Sequence, residues 1–266
     1  MSEILIQRHG MVWLEDTNLN ENKLKHSFST RIGGVSYFPK EDLNLSYRAE
    51  ENQKNVRTNL IRWTHALGIP WENLVVGEQV HGSQAAVVTM EDFGRGAFTS
   101  NEAINGVDAL ITREKGVPLM AFFADCVPVI LFDAKRGVLG LVHAGWKGIV
   151  QKNTEKAVRS MESLGARSSS MQVYIGPSIG KNHFMVGPEV QSAFQDAGFA
   201  KWIDVIDGDI YIDLQRCMLQ SLLSIGVKEE NITVSSYDTW EEETLFFSYR
   251  REGSQTGRMA AIAMMS

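Results

Sequence analysis

The chain has 266 residues, 44% of them hydrophobic and 22% charged, the balance of a folded globular protein rather than a disordered or fibrous one. Lysine and arginine total 26 against 32 acidic residues, a formal charge of −6, so nothing favours nucleic acid or an anionic membrane as a partner. Two cysteines make no disulfide framework, and a chain of this length, burying roughly three-quarters of its unfolded surface, needs none.

Elements are assigned from residue 53 onward. Residues 53–67 predict a helix, with Val56, Leu60, Trp63 and Leu67 spaced by three and four and with Gly68 and Pro70 beyond it. Short apolar runs at 74–81, 84–90, 107–112, 117–124, 127–132 and 137–143 predict strands. A helix is expected over 149–164, stopped by Gly165, then a strand at 171–175. Pro188 after Gly187 suits the first turn of a helix reaching Ala197. Asp213 reads as the N-cap of a helix carrying Leu214, Cys217, Met218, Leu222 and Ile225, closed by Gly226. Strands at 231–236, 244–249 and 258–264 complete the chain. No repeat and no Pro/Gly/Ser-rich linker divides it. Several strands in direct succession among helices argue for an α+β (mixed α/β) fold: one domain over 1–266, a mixed β-sheet core flanked by helices.

The first residues lack the basic start and long apolar stretch of a signal peptide. The longest apolar run, Val117 to Phe132, is interrupted by Pro118, Asp125 and Pro128 and falls short of a membrane span. The expected compartment is the reducing cytoplasm, where a free thiol can serve as metal ligand or nucleophile.

Three segments each put one metal-ligating residue at the end of an apolar run: Gln79-Val80-His81-Gly82, Ala124-Asp125-Cys126-Val127-Pro128 and His143-Ala144-Gly145-Trp146-Lys147-Gly148. His81, Cys126 and His143 form a candidate three-ligand site for Zn2+, whose fourth position would stay open as catalytic zinc requires. They lie 45 and 17 residues apart, so only tertiary structure could assemble them. Taken singly, Cys126 could equally be a buried structural thiol and each histidine a hydrogen-bonded core residue. Asp125 is a charge inside an apolar run and is expected to orient a ligand histidine through its second ring nitrogen. The glycine-rich turn before the 149–164 helix, with Lys147, is a candidate anion site. Arg31, Arg250, Arg251 and Arg258 stand in turn-like motifs suited either to oxyanion recognition or to surface ion pairs. Cys217, on an apolar helical stripe, is read as core, while His26, His65 and His183 have no comparable setting.

Those three motifs, together with Phe28-Ser29-Thr30-Arg31-Ile32-Gly33-Gly34-Val35-Ser36, Ile175-Gly176-Pro177-Ser178-Ile179-Gly180, Phe246-Phe247-Ser248-Tyr249-Arg250-Arg251 and Thr256-Gly257-Arg258, resemble the laccase-domain family. That family is also described as multicopper polyphenol oxidase, zinc-dependent purine nucleoside phosphorylase or peptidoglycan editing factor. The resemblance runs in order from about residue 26 to the C-terminus. It implies zinc on His81, Cys126 and His143, with Cu2+ as the other ion, and phosphorolysis of purine nucleosides, with adenosine deamination at the same metal. Purine nucleoside and phosphate are then the expected partners, and Cys126, His143 and Arg31 the candidate catalytic residues. Two positions depart from the family pattern: Asp238 stands where cysteine is usual and Met185 where an acidic residue is usual. Lys147 replaces a common arginine, which keeps the charge and loses the bidentate fork.

A multicopper laccase holds its copper clusters with more histidines than the six present here, so oxidase chemistry would be a side activity. Cys126 also lacks the nearby His and Met of a blue-copper loop. The H-x-E with P-C-x-x-C signature of zinc deaminases is absent. The remaining rivals are a cysteine hydrolase or amidase with Cys126 as nucleophile, acting in peptidoglycan editing, and a non-enzymatic scaffold.

Overall fold

A computed structural model describes residues 2–22, 24–37, 40–49 and 52–266. Two six-stranded sheets carry the fold. The first runs in the order Glu3–Arg8, Met11–Asp16, Leu24–Ser29, Met259–Met265, Leu119–Phe123 and Val75–Val76. The second runs Ile232–Val234, Gln172–Ile175, Val127–Asp133, Val138–Ala144, Ala109–Thr112 and Ala85–Val87. Both mix parallel and antiparallel neighbours. A three-stranded ribbon, Met185–Val186, Ile203–Ile206 and Asp209–Ile212, stands apart. The fold is the mixed α+β arrangement that the sequence implies.

Strand alternation explains why the two sheets pack face to face. Ile130, Phe132, Leu139, Leu141 and Tyr174 of the second sheet meet Leu14, Phe28, Leu119, Phe123 and Ala261 of the first. Their neighbours on the same strands, Val129, Leu131, Val138, Val142 and Val173, point the other way, toward Ala157, Val158 and Met161 of helix Asn153–Ser163 and Cys217, Met218 and Leu222 of helix Leu214–Ser224. The outer face of the first sheet, through Met120, Ala260 and Ile262, covers Val56, Leu60 and Trp63 of helix Gln53–Leu67. The result is four layers, helix on sheet on sheet on helix. Central strands are apolar on both faces for this reason, and each fully buried aliphatic side chain contributes about 1.5–3 kcal/mol.

Gln53–Leu67 matches its expected bounds, with Asn52 accepting the Lys54 amide hydrogen and Gly68 at φ 64 ending it. Pro188–Asp196 and Leu214–Ser224 also lie as expected, the latter capped by Asp213. Three expectations differ from the structure. The helix expected over 149–164 is two helices, Trp146–Val150 and Asn153–Ser163, broken at Lys152, whose φ is 59. The break turns Asn153 back, where its Nδ2 donates to the His143 carbonyl at 3.0 Å. The strand expected over 244–249 does not form. Leu245 and Phe246 both donate to the Glu242 carbonyl, and Ser248 caps the short helix Tyr249–Glu252. The run 74–81 is strand only at Val75–Val76, and its remainder is the loop that carries His81.

Candidate metal centre

The antiparallel pairing of Val127–Asp133 with Val138–Ala144 sets the first part of the site. Its register places Pro128 opposite His143 and Val127 opposite Ala144, so Cys126, one residue earlier, comes to the end of the strand that holds His143. The neighbouring strand Ala109–Thr112 pairs Ala109 with Val142, which brings Asp108 to the same end. Asp108 then supplies what the sequence reading assigned to Asp125. Its Oδ1 takes the Nδ1 hydrogen of His143 at 2.8 Å and the His81 amide hydrogen at 3.0 Å; its Oδ2 takes the Gly82 amide hydrogen at 2.7 Å. One carboxylate therefore orients one candidate ligand ring and anchors the loop of another.

Gln79 pins the same loop from the other side. Its Nε2 donates to the Phe122 carbonyl and its Oε1 accepts the Phe122 amide hydrogen, both at 2.8 Å, imitating a strand neighbour for Leu119–Phe123. His81 sits in this loop at φ 58. Asp125 plays a different part from the one expected. Its Oδ1 accepts from Thr239 Oγ1 at 2.8 Å and its Oδ2 from the Arg250 amide at 2.7 Å, so it ties the C-terminal segment to the strand that follows Cys126.

One donor atom from each of His81, Cys126 and His143 lies within 4.8 Å of the others. The imidazoles of His81 and His143 stand edge to face, centroids 5.0 Å apart. Gly145 closes the site: a Cβ there would come within 2.9 Å of His81 Cδ2 and 3.2 Å of Cys126 Sγ. Burial opposes ionisation of Cys126, but the imidazoles of His143 and His81 outweigh it and bring the thiol down to about 6. His143 moves the opposite way: burial lowers it, while Cys126 and Asp108 raise it to about 9. A thiolate between two imidazoles, one with its far nitrogen already bonded to a carboxylate, is the donor chemistry of a divalent metal site.

The cluster opens into a cavity of about 800 Å3. Polar groups of Ser46, Glu78, Gln79 and Ser254 line it, with Arg48, Arg250 and Arg258 and an apolar wall that includes Phe184, Met185, Val190 and Tyr249. Arg31 is not among the lining residues. Its guanidinium lies over the Phe247 ring and is held by the Glu41 and Glu243 carbonyls and by Glu252 at 3.1 Å. Lys147 also lies outside the lining, exposed and over the Trp146 ring, so the glycine-rich turn serves close packing at Gly145 rather than presenting this cation to the cavity. Of the two departures from the family pattern, Met185 lines the cavity and is 48% exposed. Asp238 pairs with His183 Nδ1 at 2.5 Å, and that imidazole stacks on Trp240. Cys217 is core, as read. Sequence reasoning missed Asp108, although a carboxylate at the head of an apolar strand was the same signal that drew attention to Asp125.

These features coincide with a known family. Residues 25–266 match the model described as multi-copper polyphenol oxidoreductase laccase, and the chain belongs to that family. Among similar proteins, a purine nucleoside phosphorylase of Deinococcus radiodurans is 36% identical over 95% of this chain and 92% of its own. Purine nucleoside phosphorylase YlmD of Bacillus subtilis is 31% identical over 94% and 91%. The crystal structure of YlmD from Geobacillus stearothermophilus superimposes with a TM-score of 0.93 at 32% identity, covering 99% of both chains. No helix among the described residues is long and apolar enough to cross a membrane.

Proposed function

We propose that the protein is a zinc-dependent purine nucleoside phosphorylase, converting adenosine, inosine or guanosine and phosphate to the free base and ribose 1-phosphate. The observation that carries this reading is the convergence of His81, Cys126 and His143 in the lining of a cavity large enough for a nucleoside, in a chain whose near-full-length relatives are named purine nucleoside phosphorylase. Zinc fits one thiolate and two imidazoles and would supply a Lewis-acid positive charge at that point.

The chain's own residues do the rest. Asp108 fixes the His143 ring so that Nε2 faces Cys126, and its grip on the 80–82 loop holds His81. Phe184, Met185 and Tyr249 offer the flat apolar contact a purine needs, and Ser46, Glu78 and Ser254 offer partners for ribose hydroxyls. Positive charge develops on the ribose as the glycosidic bond breaks, so a held phosphate is both counter-charge and nucleophile. Deamination of adenosine is a second activity the same open site would support.

One observation favours a second reading. Asp108, His143 and Cys126 stand in the order orienter, base, nucleophile, which without metal is the arrangement of a cysteine hydrolase or amidase. Incubating inosine and adenosine with and without phosphate, before and after chelation, separates the two. Ribose 1-phosphate formed only with both phosphate and metal supports the phosphorylase. Equal turnover without phosphate makes the enzyme a hydrolase, and activity that survives metal removal moves the chemistry to the Cys126 thiolate.

A further inference from the structure

Three arginines line the cavity, and they differ in burial: Arg48 and Arg250 are exposed, whereas Arg258 is half-buried. Arg48 is exposed and paired with Glu78 at 2.9 Å. Arg250 lies over the Phe184 ring and uses Nη1 to hold the His183 and Met185 carbonyls at 3.1 and 2.8 Å, which fixes the loop forming one wall. Arg258 is half-buried. Its Nη1 donates to the carbonyls of Thr256 and Gly257 at 2.9 and 2.8 Å, and its guanidinium lies 5.7 Å from the Tyr249 ring centroid.

Those contacts occupy one corner of the guanidinium and set its plane. Among the described residues no carboxylate lies within 4.0 Å of it, and Nε and Nη2 make no hydrogen bond to protein. Neither nitrogen is fully buried, and the residue lines the cavity. Arg258 lines the same cavity as His81, Cys126 and His143; burial lowers its pKa, against the opposing influence of Cys126, Asp125, Tyr249 and Glu252. A fixed guanidinium with two adjacent free N–H groups is the geometry that takes an oxyanion bidentately.

We propose that the Nε–Nη2 edge of Arg258 is the phosphate-binding fork of this enzyme, holding inorganic phosphate beside the His81–Cys126–His143 cluster. The inference rests on the phosphorylase reading and adds to it the residue that binds the second substrate. In the step served, a phosphate oxygen forms a bond to ribose C1′ as the C1′–N9 bond breaks. Its electron pair goes to the base, and the proton of hydrogen phosphate ends on the base. Arg31 is not placed for this part: it does not line the cavity, and its Nε and Nη1 are held by Glu252 and by two backbone carbonyls.

The test is calorimetric titration of inorganic phosphate into metal-loaded wild type, Arg258→Gln and Arg258→Lys, with metal content and the thermal midpoint measured alongside. Arg258→Gln is expected to weaken phosphate binding by about tenfold or more, equivalent to ~1.4 kcal/mol. Arg258→Lys, which keeps charge without the fork, should fall between, with metal content unchanged in both. Unchanged phosphate affinity in either folded, metal-loaded variant overturns the proposal, as does a wild type that binds no phosphate. If Arg258→Gln does not fold, Arg258→Lys decides by the same criterion. The phosphorylase reading fails separately, if wild type cleaves nucleosides at the same rate without phosphate.

Discussion

His26 and His143 are buried to the same degree, each 3% exposed, and each has an aspartate nearby, yet they have opposite characters. His26 accepts the Asp16 amide hydrogen at Nε2, 2.8 Å away, and its Nδ1 faces the Leu24 carbonyl at 3.2 Å. Both nitrogens are used inside the protein, and burial pushes its pKa down, so it stays a neutral crosspiece between strands. His143 spends only Nδ1, on Asp108, and its other side meets Cys126 and His81 at the edge of a cavity. Burial alone therefore does not mark a functional histidine. What marks it is a nitrogen left over, aimed at other donors that are also left over.

The sharpest way to break that contrast is to remove the shared thiol. Cys126→Ser should abolish stoichiometric metal binding and cut nucleoside turnover by more than about 100-fold, while leaving the fold intact. Metal analysis with circular dichroism checks this, and full metal occupancy in the variant would end the assignment. A smaller effect is expected one bond further out. Asp108→Asn retains an oxygen for the 80–82 loop but loses the carboxylate partner of His143, and should weaken metal affinity by about 10–100-fold. Competition with a chelator of known affinity measures it; wild-type affinity would show that Asp108 only shapes the loop.

The smallest effect belongs to the region around His26, and it should appear in stability rather than activity. Asp16 is buried, and burial raises its pKa from 3.8 to about 6 against the pull of its hydrogen bonds, with Glu3 and Glu21 adding repulsion. Between those two values the folded state binds more protons than the unfolded chain, so stability falls as pH rises from about 4 to 6 and stays lower above that. Asp16→Asn keeps an acceptor for the Asn18 amide and removes the ionisation. It should flatten that slope and raise the melting temperature at neutral pH by roughly 2–4 °C per kcal/mol recovered. Melting curves at pH 4, 6 and 7.5 test this. A variant that keeps the wild-type slope would place the pH dependence elsewhere.

The elements that could be read in the chain were those with a local cause. Helix Gln53–Leu67 follows from the three-and-four spacing of Val56, Leu60 and Trp63 and from Gly68, whose φ of 64 is cheap only for glycine. Leu214–Ser224 follows from the Asp213 cap. The three candidate ligands were legible because each ends an apolar segment and is a residue type that chemistry needs. No local pattern announced the break at Lys152 or the turn in place of a strand at 244–249. Each is accompanied by a contact that no short stretch of sequence shows: the His143 carbonyl that Asn153 reaches, and the Asp125 carboxylate that holds the Arg250 amide.

Sequence by itself therefore determined the α+β class, several helices and the residue types able to bind metal, since periodicity, caps and donor chemistry are properties of short stretches of chain. Tertiary structure decided which aspartate orients the candidate ligand histidine and which arginines line the cavity. Asp108 and Asp125 look alike in the sequence, each a carboxylate in an apolar setting. The pairing of Ala109 with Val142 turns the first toward His143, and the approach of Thr239 and Arg250 occupies the second. Arg31 and Arg258 are likewise equal as cations in turn motifs, but Glu252 and two carbonyls hold the first away from the cavity lining, while the second lines the cavity with Nε and Nη2 unbonded. A charged side chain's role is set by what remains unpaired after folding, and only the packed chain fixes that remainder.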